Sequence, residues 1–236
     1  MVIYQGPSQI DGSPVVAILT ESKNRKVGQS LQAWIMRADM PPREASRRGL
    51  DVSVCGDCAQ RHSLGGACYV QIWQAPRSIY AAWRRGSYEN EKRSERLARR
   101  LEEGWFVRLC AYGDPGAVPW HVWESLLARS SGRWSGYTHQ WRKEHAAPLR
   151  QVVMASCDSI EDLAEALADG WRAFLVRPAG ERDHIDGAIE CLSDARGTSC
   201  RECTACDGVR GNEKRVSVWI AAHGPRKSKY HLQVMQ

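Results

Sequence analysis

Residues 151–176 read QVVMASCDSIEDLAEALADGWRAFLV and contain two apolar runs separated by a helical pattern. Its first five residues form an apolar run that predicts a buried strand, and apolar residues at helical spacing follow at 160–167. Asp158 or Ser159 can cap that helix, and Gly170 can end it before a second apolar run. Strand, helix and strand at this spacing predict two parallel strands joined by a crossover.

The rest of the chain repeats this alternation. Apolar runs at 31–36 and 105–111 predict buried strands, and 76–85 predicts a helix. A run at 69–73 is rich in β-branched and aromatic residues and predicts another strand. Such alternation is typical of α/β folds with parallel sheets.

A chain of 236 residues can bury a full core. We therefore expect an α/β protein, a single-domain partial TIM-barrel-like fold with Cys-rich metal-binding loops. The expected domain covers residues 1–224 and carries a Cys-rich insert at 191–206. A basic, mobile C-terminal tail is expected at 225–236.

Polar side chains stand at the predicted strand ends, where parallel α/β folds place their functional residues. These residues are Asp114, His139, Asp158, Arg177 and His223. Each also has a structural interpretation, as a turn residue, a helix cap or a core histidine bonded to backbone. We take Asp114 as a group that orients a cofactor or substrate amine, and Asp114, His139 and Asp158 as the catalytic candidates.

Nine cysteines fall mainly into two groups, the first of which is Cys55, Cys58 and Cys68. Two cysteines separated by two residues can close one turn around a metal, and Gly56 permits the tight backbone that this turn needs. Three thiolates leave an open position on iron or zinc, which catalysis requires, whereas His62 as a fourth ligand would make a structural zinc knuckle.

The second group is the most specific pattern in the chain, because Cys200, Cys203 and Cys206 are spaced C-x-x-C-x-x-C, with Cys191 upstream. Four thiolates, or three with His223, would hold zinc, and the same thiolates would hold an iron–sulfur cluster. The sequence does not separate the two metals.

Composition limits the setting in which these groups act. No apolar run is long enough to cross a membrane, and the first residues lack the pattern of a signal peptide. We expect a cytoplasmic protein without a membrane partner, in which metal explains the cysteines better than disulfides. The net charge of +6 permits a nucleic acid or nucleotide as partner without requiring one.

Several motifs from Val2 to Gly224 resemble a family of phage and mobile-element proteins for which no activity is established. The shared motifs are Gly6-Pro7-Ser8, Cys55-Gly56-Asp57-Cys58, Cys68-Tyr69-Val70, Tyr112-Gly113-Asp114-Pro115, Gly136-Tyr137-Thr138-His139-Gln140-Trp141, Met154-Ala155-Ser156 and the C-terminal cysteines.

The order of parts is also similar to the radical S-adenosylmethionine (SAM) enzymes, which are full or partial α/β barrels. The resemblance implies an iron–sulfur cluster on Cys55, Cys58 and Cys68, and an auxiliary cluster on the C-terminal cysteines. It implies SAM as a cofactor, and we take Gly113, Asp114, Ser156 and Arg177 as the cofactor-binding candidates. The cysteine loop here is C-x-x-C-x9-C, whereas that superfamily usually has C-x-x-x-C-x-x-C.

Two other functions stay open. Residues 154–176 resemble a late unit of zinc-containing tRNA-guanine transglycosylases, which exchange a base in tRNA or DNA, although Arg177 stands where their nucleophilic aspartate is expected. The third hypothesis is a non-catalytic zinc protein that binds nucleic acid through basic loops and tryptophans.

Overall fold

The computed structural model describes residues 1–89, 91–130, 132–210 and 215–230. The strands in these ranges are β1 Val2–Pro7, β2 Pro14–Ser22, β3 Ser30–Arg37, β4 Phe106–Tyr112, β5 Trp134–Ser135, β6 Tyr137–Thr138, β7 Met154–Cys157, β8 Ala173–Arg177, β9 Ala188–Glu190 and β10 Ser217–Ala221. The α-helices are α1 Pro42–Arg47, α2 Val52–Cys55, α3 Ala75–Arg84, α4 Glu91–Glu102, α5 Trp120–Ala128, α6 Ile160–Ala168, α7 Leu192–Arg196 and α8 Cys200–Cys203. Short 3₁₀ helices cover His62–Leu64, Pro115–Ala117, Glu144–Gln151 and Lys227–Lys229.

The strands form two five-stranded sheets, in the orders β1-β2-β3-β4-β5 and β6-β7-β8-β10-β9. The pairs β1–β2 and β2–β3 are antiparallel, and every other pair is parallel. The α/β class with parallel strands is therefore confirmed. Among the described strands, no pairing closes the sheets into a barrel, so a TIM barrel is not what the structure contains.

Gly136 is the only residue between β5 and β6, where the chain passes from one sheet to the other. Its N–H donates to the carbonyl of Cys206, and its own carbonyl accepts from Met154. A Cβ at this position would lie 2.6 Å from Cγ1 of Val153 and 3.2 Å from Cβ of Leu109. The junction therefore requires a residue without a side chain.

Side chains alternate between the two faces of each strand. On β4, Val107 and Leu109 belong to the main hydrophobic core, which contains residues of both sheets and of the helices. On the second sheet, Met154, Phe174 and Val218 form a smaller apolar cluster, against which Cys191 and Cys206 pack. The second cysteine group thus packs against the sheet face that carries this smaller cluster.

The unit at 151–176 folds as the sequence predicts, with Ser159 as the N-cap of α6, accepting from the N–H of Asp162 at 3.1 Å. The predicted strand at 69–73 is wrong, because this segment is irregular. Tyr69 and Val70 line a cavity instead of joining a sheet. In the described ranges, none of the helices has the length and apolarity that a membrane span requires.

The start of the C-terminal tail is held in place, contrary to the expectation of a mobile segment. Tyr230 is 1 % exposed, and its hydroxyl lies 2.8 Å from the carbonyl oxygen of Asp158 and 2.6 Å from that of Val176. Arg226 of the same segment bonds to Nδ1 of His62 at 2.7 Å. Residues 231–236 of the predicted tail lie outside the described ranges.

We predict that Gly136→Ala destabilises the protein by about 1–3 kcal/mol, because the added Cβ overpacks the junction against Val153. Val153→Ala removes the atom that clashes and should itself cost stability as a cavity. The double variant should therefore be more stable than the sum of the two single effects predicts. Urea unfolding of the four proteins measures this coupling, and additive free energies of unfolding would contradict the close contact at the junction.

Candidate functional site

A cavity of about 250 Å³ is lined by residues from both sheets and from both cysteine groups. Eight of the nine cysteines line it, and the exception is Cys157. The cysteines concerned are Cys55, Cys58, Cys68, Cys110, Cys191, Cys200, Cys203 and Cys206. Two segments more than a hundred residues apart in the sequence therefore contribute thiols to one space.

Strand alternation decides which side chains face the cavity. On β4 the residues at 106, 108, 110 and 112 line it and those at 107 and 109 do not, whereas Ala111 near the end of the strand is an exception that also lines it. On β8, Phe174 and Val176 line it, whereas Arg177 does not. Ser156 and Asp158 follow the same rule on β7, where Cys157 is buried on the opposite face.

The first cysteine group stands on α2 and the loop after it. Gly56 ends α2 with a φ of 55°, and a Cβ there would overlap the side chain of Gln140. The N–H of Cys68 donates to the carbonyl of Gln60 at 3.0 Å, which returns the loop toward α2. Cys55, Cys58 and Cys68 are all partly buried.

The electrostatics of Cys55 and Cys68 favour the protonated thiol. Burial raises the pKa of Cys55 well above its usual value, and the neighbouring Cys58 and Cys68 raise it further. Burial and the adjacent Cys58 raise the pKa of Cys68 to about 12. Because each thiol affects the others, metal binding would release protons from a coupled group.

The second cysteine group is held by the backbone of neighbouring elements. A capping box of Ser199 and Glu202 starts α8, and the N–H of Cys200 donates to the carbonyl of Lys26 at 3.0 Å. The N–H of Cys191 donates to Trp219 on β10 at 2.8 Å. Burial raises the pKa of Cys206 to about 12.

The thiols do not form a ready ligand set in the structure. Within the described ranges, no three His, Cys, Asp or Glu side chains are grouped closely enough to hold one metal ion. The donors nevertheless fit thiolate-binding metals by their chemistry, since each group offers three or four sulfur atoms on one wall of the cavity. Binding would require the side chains to turn toward one another.

His139, Asp158 and Cys58 come together on the cavity wall. Nε2 of His139 lies 3.3 Å from Oδ2 of Asp158, without the alignment of a hydrogen bond. Burial lowers the pKa of His139, but Cys58 and Asp158 outweigh this effect and raise it well above the usual value. Burial raises the pKa of Asp158, and His139 outweighs it so that the net shift is downward.

Asp114 is 5 % exposed and already bonded within the protein. Its Oδ1 accepts from the N–H of Gly116 at 2.8 Å and from Oγ1 of Thr138 at 2.6 Å, and its Oδ2 accepts from the N–H of His139 at 2.7 Å. Its own N–H donates to the carbonyl of Val54 at 2.6 Å. These bonds join the ends of β4 and β6 to the first cysteine loop, which is a positioning role.

The cofactor-binding candidates divide by their position. Gly113 and Ser156 line the cavity, and Gly113 has a φ of 82° with no room for a Cβ against Ile35. Arg177 points to the other face of β8, where its guanidinium bonds to the carbonyl of Asp183 at 2.8 Å. Arg177 therefore does not line this cavity, because it has the opposite strand parity, and its role in binding a cofactor stays a prediction.

His62 and His223, the two histidines suggested as additional metal ligands, differ in the contacts that their rings make. Nε2 of His62 lies 2.6 Å from the carbonyl of Val70, and Nδ1 lies 2.7 Å from Arg226, so both ring nitrogens are engaged. His223 lines the cavity and stacks on Tyr69 with 5.3 Å between ring centroids. Of the histidines near the first cysteine group, His139 has the better access to sulfur.

Sequence reasoning missed Arg108, Cys110 and Tyr137 as cavity residues. The sequence did contain a signal for Arg108, which is the charged residue within the apolar run at 105–111, because an arginine in a buried strand needs a polar neighbour. Tyr230 had no comparable signal, since a basic tail is usually exposed.

Comparison with known proteins gives no further guidance. No family model and no curated protein matches the sequence, and no solved structure matches the fold.

We predict that Asp114→Asn destabilises the fold by about 1–3 kcal/mol, because an amide cannot accept all three hydrogen bonds. With its oxygen toward Gly116 and Thr138, the new NH₂ group faces the N–H of His139, and that buried donor loses its partner. Asp57→Asn is the matched control, since Asp57 is exposed and its ion pair with Lys143 lies on the surface. Equal melting temperatures for the two variants would contradict the positioning role of Asp114.

Proposed function

We propose that this protein is a metalloenzyme that carries an iron–sulfur cluster on Cys55, Cys58 and Cys68, in the manner of the radical SAM enzymes. One observation carries the proposal: the cysteines of this loop share a cavity with the polar ends of parallel strands and with the second cysteine group. The loop follows β3, the first strand in the parallel series, and Gly113 ends the next one.

The donors fit a cluster with one open iron, because three thiols come from one loop and no other cysteine belongs to it. A cluster bound there would supply electron transfer to a ligand at its open position. SAM is the expected second cofactor, and Gly113 and Ser156 are the strand-end residues that would contact it. The cysteines Cys191, Cys200, Cys203 and Cys206 would hold a second, protein-closed metal centre.

The remaining lining residues would serve the chemistry of the site. His139, beside Asp158, is the group best placed to carry a proton, since its Nε2 has no aligned hydrogen-bond partner within the described structure. Phe106, Phe174 and Ile220 give the cavity apolar walls that exclude water. Tyr230 fixes the C-terminal segment against the cavity through the ends of β7 and β8.

The size of the cavity favours a nucleotide or another small molecule over a nucleic acid polymer. A volume of about 250 Å³ lies near the lower end of ligand pockets, which run from about 300 to 1,000 Å³. The modification of a nucleotide is accordingly the proposed activity, and the cytoplasm is its proposed compartment because thiolate clusters need reducing conditions.

A zinc protein is the second candidate, and the position of His139 favours it. Burial lowers the pKa of the His139 imidazole, but Cys58 and Asp158 lie close enough to raise it well above its usual value. Cys55, Cys58, Cys68 and His139 together make a Cys₃His donor set, which is a common structural zinc site. A transglycosylase or a nucleic-acid-binding protein would be consistent with such a site.

Metal analysis of anaerobically purified protein separates the two candidates. We expect wild-type protein to be brown and to contain iron and acid-labile sulfide. Cys58→Ala should lose the cluster of the first group, and Cys203→Ala should lose the metal of the second. Cys157→Ala is the matched control, because its thiol is buried in the main hydrophobic core and does not line the cavity. It should retain the full metal content.

Loss of metal should also lower stability. Structural thiolate sites contribute on the order of 10 kcal/mol in small zinc modules, so Cys203→Ala should melt well below the Cys157→Ala control. Colourless wild-type protein with stoichiometric zinc would select the second candidate. Wild-type protein that contains neither metal after anaerobic purification would refute both.

A further inference from the structure

Arg108 extends from the middle of β4 into the cavity, between the two cysteine groups. Its guanidinium donates to the hydroxyl of Tyr69 and lies 5.8 Å from the centroid of that ring. Cys110 on the same strand and Cys200 of the second group also line this part of the cavity. Arginine keeps its charge at every physiological pH, so a full positive charge faces the cavity, whose lining also contains the cations Lys26 and Arg61.

Within the described part of the chain, this charge has no carboxylate partner. Each acid on the cavity lining is engaged elsewhere. Asp51 bonds to the side chain of Ser63 at 2.5 Å, and the carboxylates of Asp114 and Asp158 serve the strand ends. The side-chain hydrogen bond that Arg108 makes in the described structure therefore goes to a neutral group, the phenol of Tyr69.

Lys26 adds a second positive charge to the lining. It belongs to the loop between β2 and β3, and its Nζ lies 3.4 Å from Nε2 of His223. The loop is fixed to α8, because the carbonyls of Lys26 and Val27 accept from the N–H groups of Cys200 and Arg201. Lys26 is exposed, which places it where the cavity opens to solvent.

The Arg108 side chain is half-buried. A guanidinium that gives up part of its hydration without an acidic partner is costly, and a bound anion would offset that cost. We propose that Arg108, assisted by Lys26, binds an oxyanion group of a small ligand, a carboxylate or a phosphate, within this cavity. The proposal specifies the chemistry of the substrate or cofactor and rests on the proposed function, in which this cavity is the ligand site. It does not require iron or zinc to be bound.

The neighbouring side chains fit the rest of such a ligand. Tyr69 and His223 form a stacked pair whose rings are tilted by 24°, and Tyr69 is 42 % exposed. Phe106 and Phe174 supply apolar surface on the same lining. An acidic group attached to a planar or apolar body would meet both the charge and the aromatic surface.

A thiolate metal centre at the second cysteine group is the competing source of negative charge. Burial lowers the pKa of the Arg108 guanidinium, but Tyr69, Cys110, Tyr137 and, least of these, Cys200 outweigh that effect and raise it. If Arg108 serves only to balance that centre, its removal should release metal and leave anion binding unchanged.

The test uses inorganic phosphate and acetate as probes, with chloride at the same ionic strength as reference. Thermal melts across a concentration series give an apparent dissociation constant, because a ligand that binds the folded state raises the melting temperature. Wild type should show saturable stabilisation by phosphate, by acetate or by both, and the more effective anion identifies the ligand class.

Arg108→Gln should weaken this binding by about tenfold or more, the usual effect of losing hydrogen bonds to a charged group. Lys26→Gln should weaken it less, because Lys26 is exposed. Arg25→Gln removes a charge from the same loop at an exposed residue that does not line the cavity, and it should behave as wild type. If Arg108→Gln fails to fold, Arg108→Lys keeps the charge without the fork and should also bind more weakly.

Ligand-free stability supplies an independent measurement. Removing a costly charge should leave the melting temperature of Arg108→Gln unchanged or higher, whereas a purely structural arginine would make it fall. The proposal is overturned if neither anion stabilises wild type, or if Arg108→Gln and Arg25→Gln respond alike. It is also overturned if Arg108→Gln loses metal while its anion response persists. Failure of the iron–sulfur proposal would appear separately, as an absence of iron and sulfide in wild type.

Discussion

The carboxylate of Asp114 holds together the part of the molecule on which the site depends. It accepts from Thr138 and from the N–H of His139, which fixes the end of β4 beside the end of β6. The backbone of the same residue bonds to Val54, just before the first cysteine. One buried side chain thus sets the position of a cysteine loop, of an imidazole and of the strand ends between them. Burial raises its pKa, and the hydrogen bonds from Thr138 and His139 oppose that rise.

The cavity contains ionisable groups whose charged forms cost free energy when no partner of opposite charge is bound. Burial disfavours ionisation of the thiols of Cys55, Cys68 and Cys206, and no acid in the described part of the chain pairs with Arg108. A structure selected only for stability would replace such groups with apolar ones. Their concentration around one space, with apolar walls between them, is typical of a site that binds charged or metallic ligands.

Much of the framework could be predicted from local patterns. The unit at 151–176 forms its strand, capped helix and strand, and the helix predicted at 76–85 is α3. Predictions from local patterns were wrong where tertiary contacts determine the conformation or the burial of a segment. The segment at 69–73 has strand composition but lines the cavity, and Ile160 and Leu167 of α6 are exposed although their spacing suggested a buried face.

The functional roles of the predicted site residues stay predictions, but the structure shows which of those residues lie together. Strand ends correctly indicated His139 and Asp158 as neighbours, because parallel strands bring their ends to one edge. Val176 faces the cavity and Arg177, the next residue, faces away from it. The sequence alone does not show which face of β8 lies toward the cavity. That both cysteine groups share one cavity could not be predicted, because it depends on the packing of 191–206 against a distant loop.

Anomalous X-ray diffraction at the iron and zinc absorption edges, from crystals grown without oxygen, tests the central claim most directly. We expect an iron peak bounded by the sulfur atoms of Cys55, Cys58 and Cys68, with a second metal peak at the C-terminal cysteines across the same cavity. A zinc peak at the first group would support the zinc protein instead. Maps without a peak at either cysteine group, in protein whose thiols are reduced, would contradict the account.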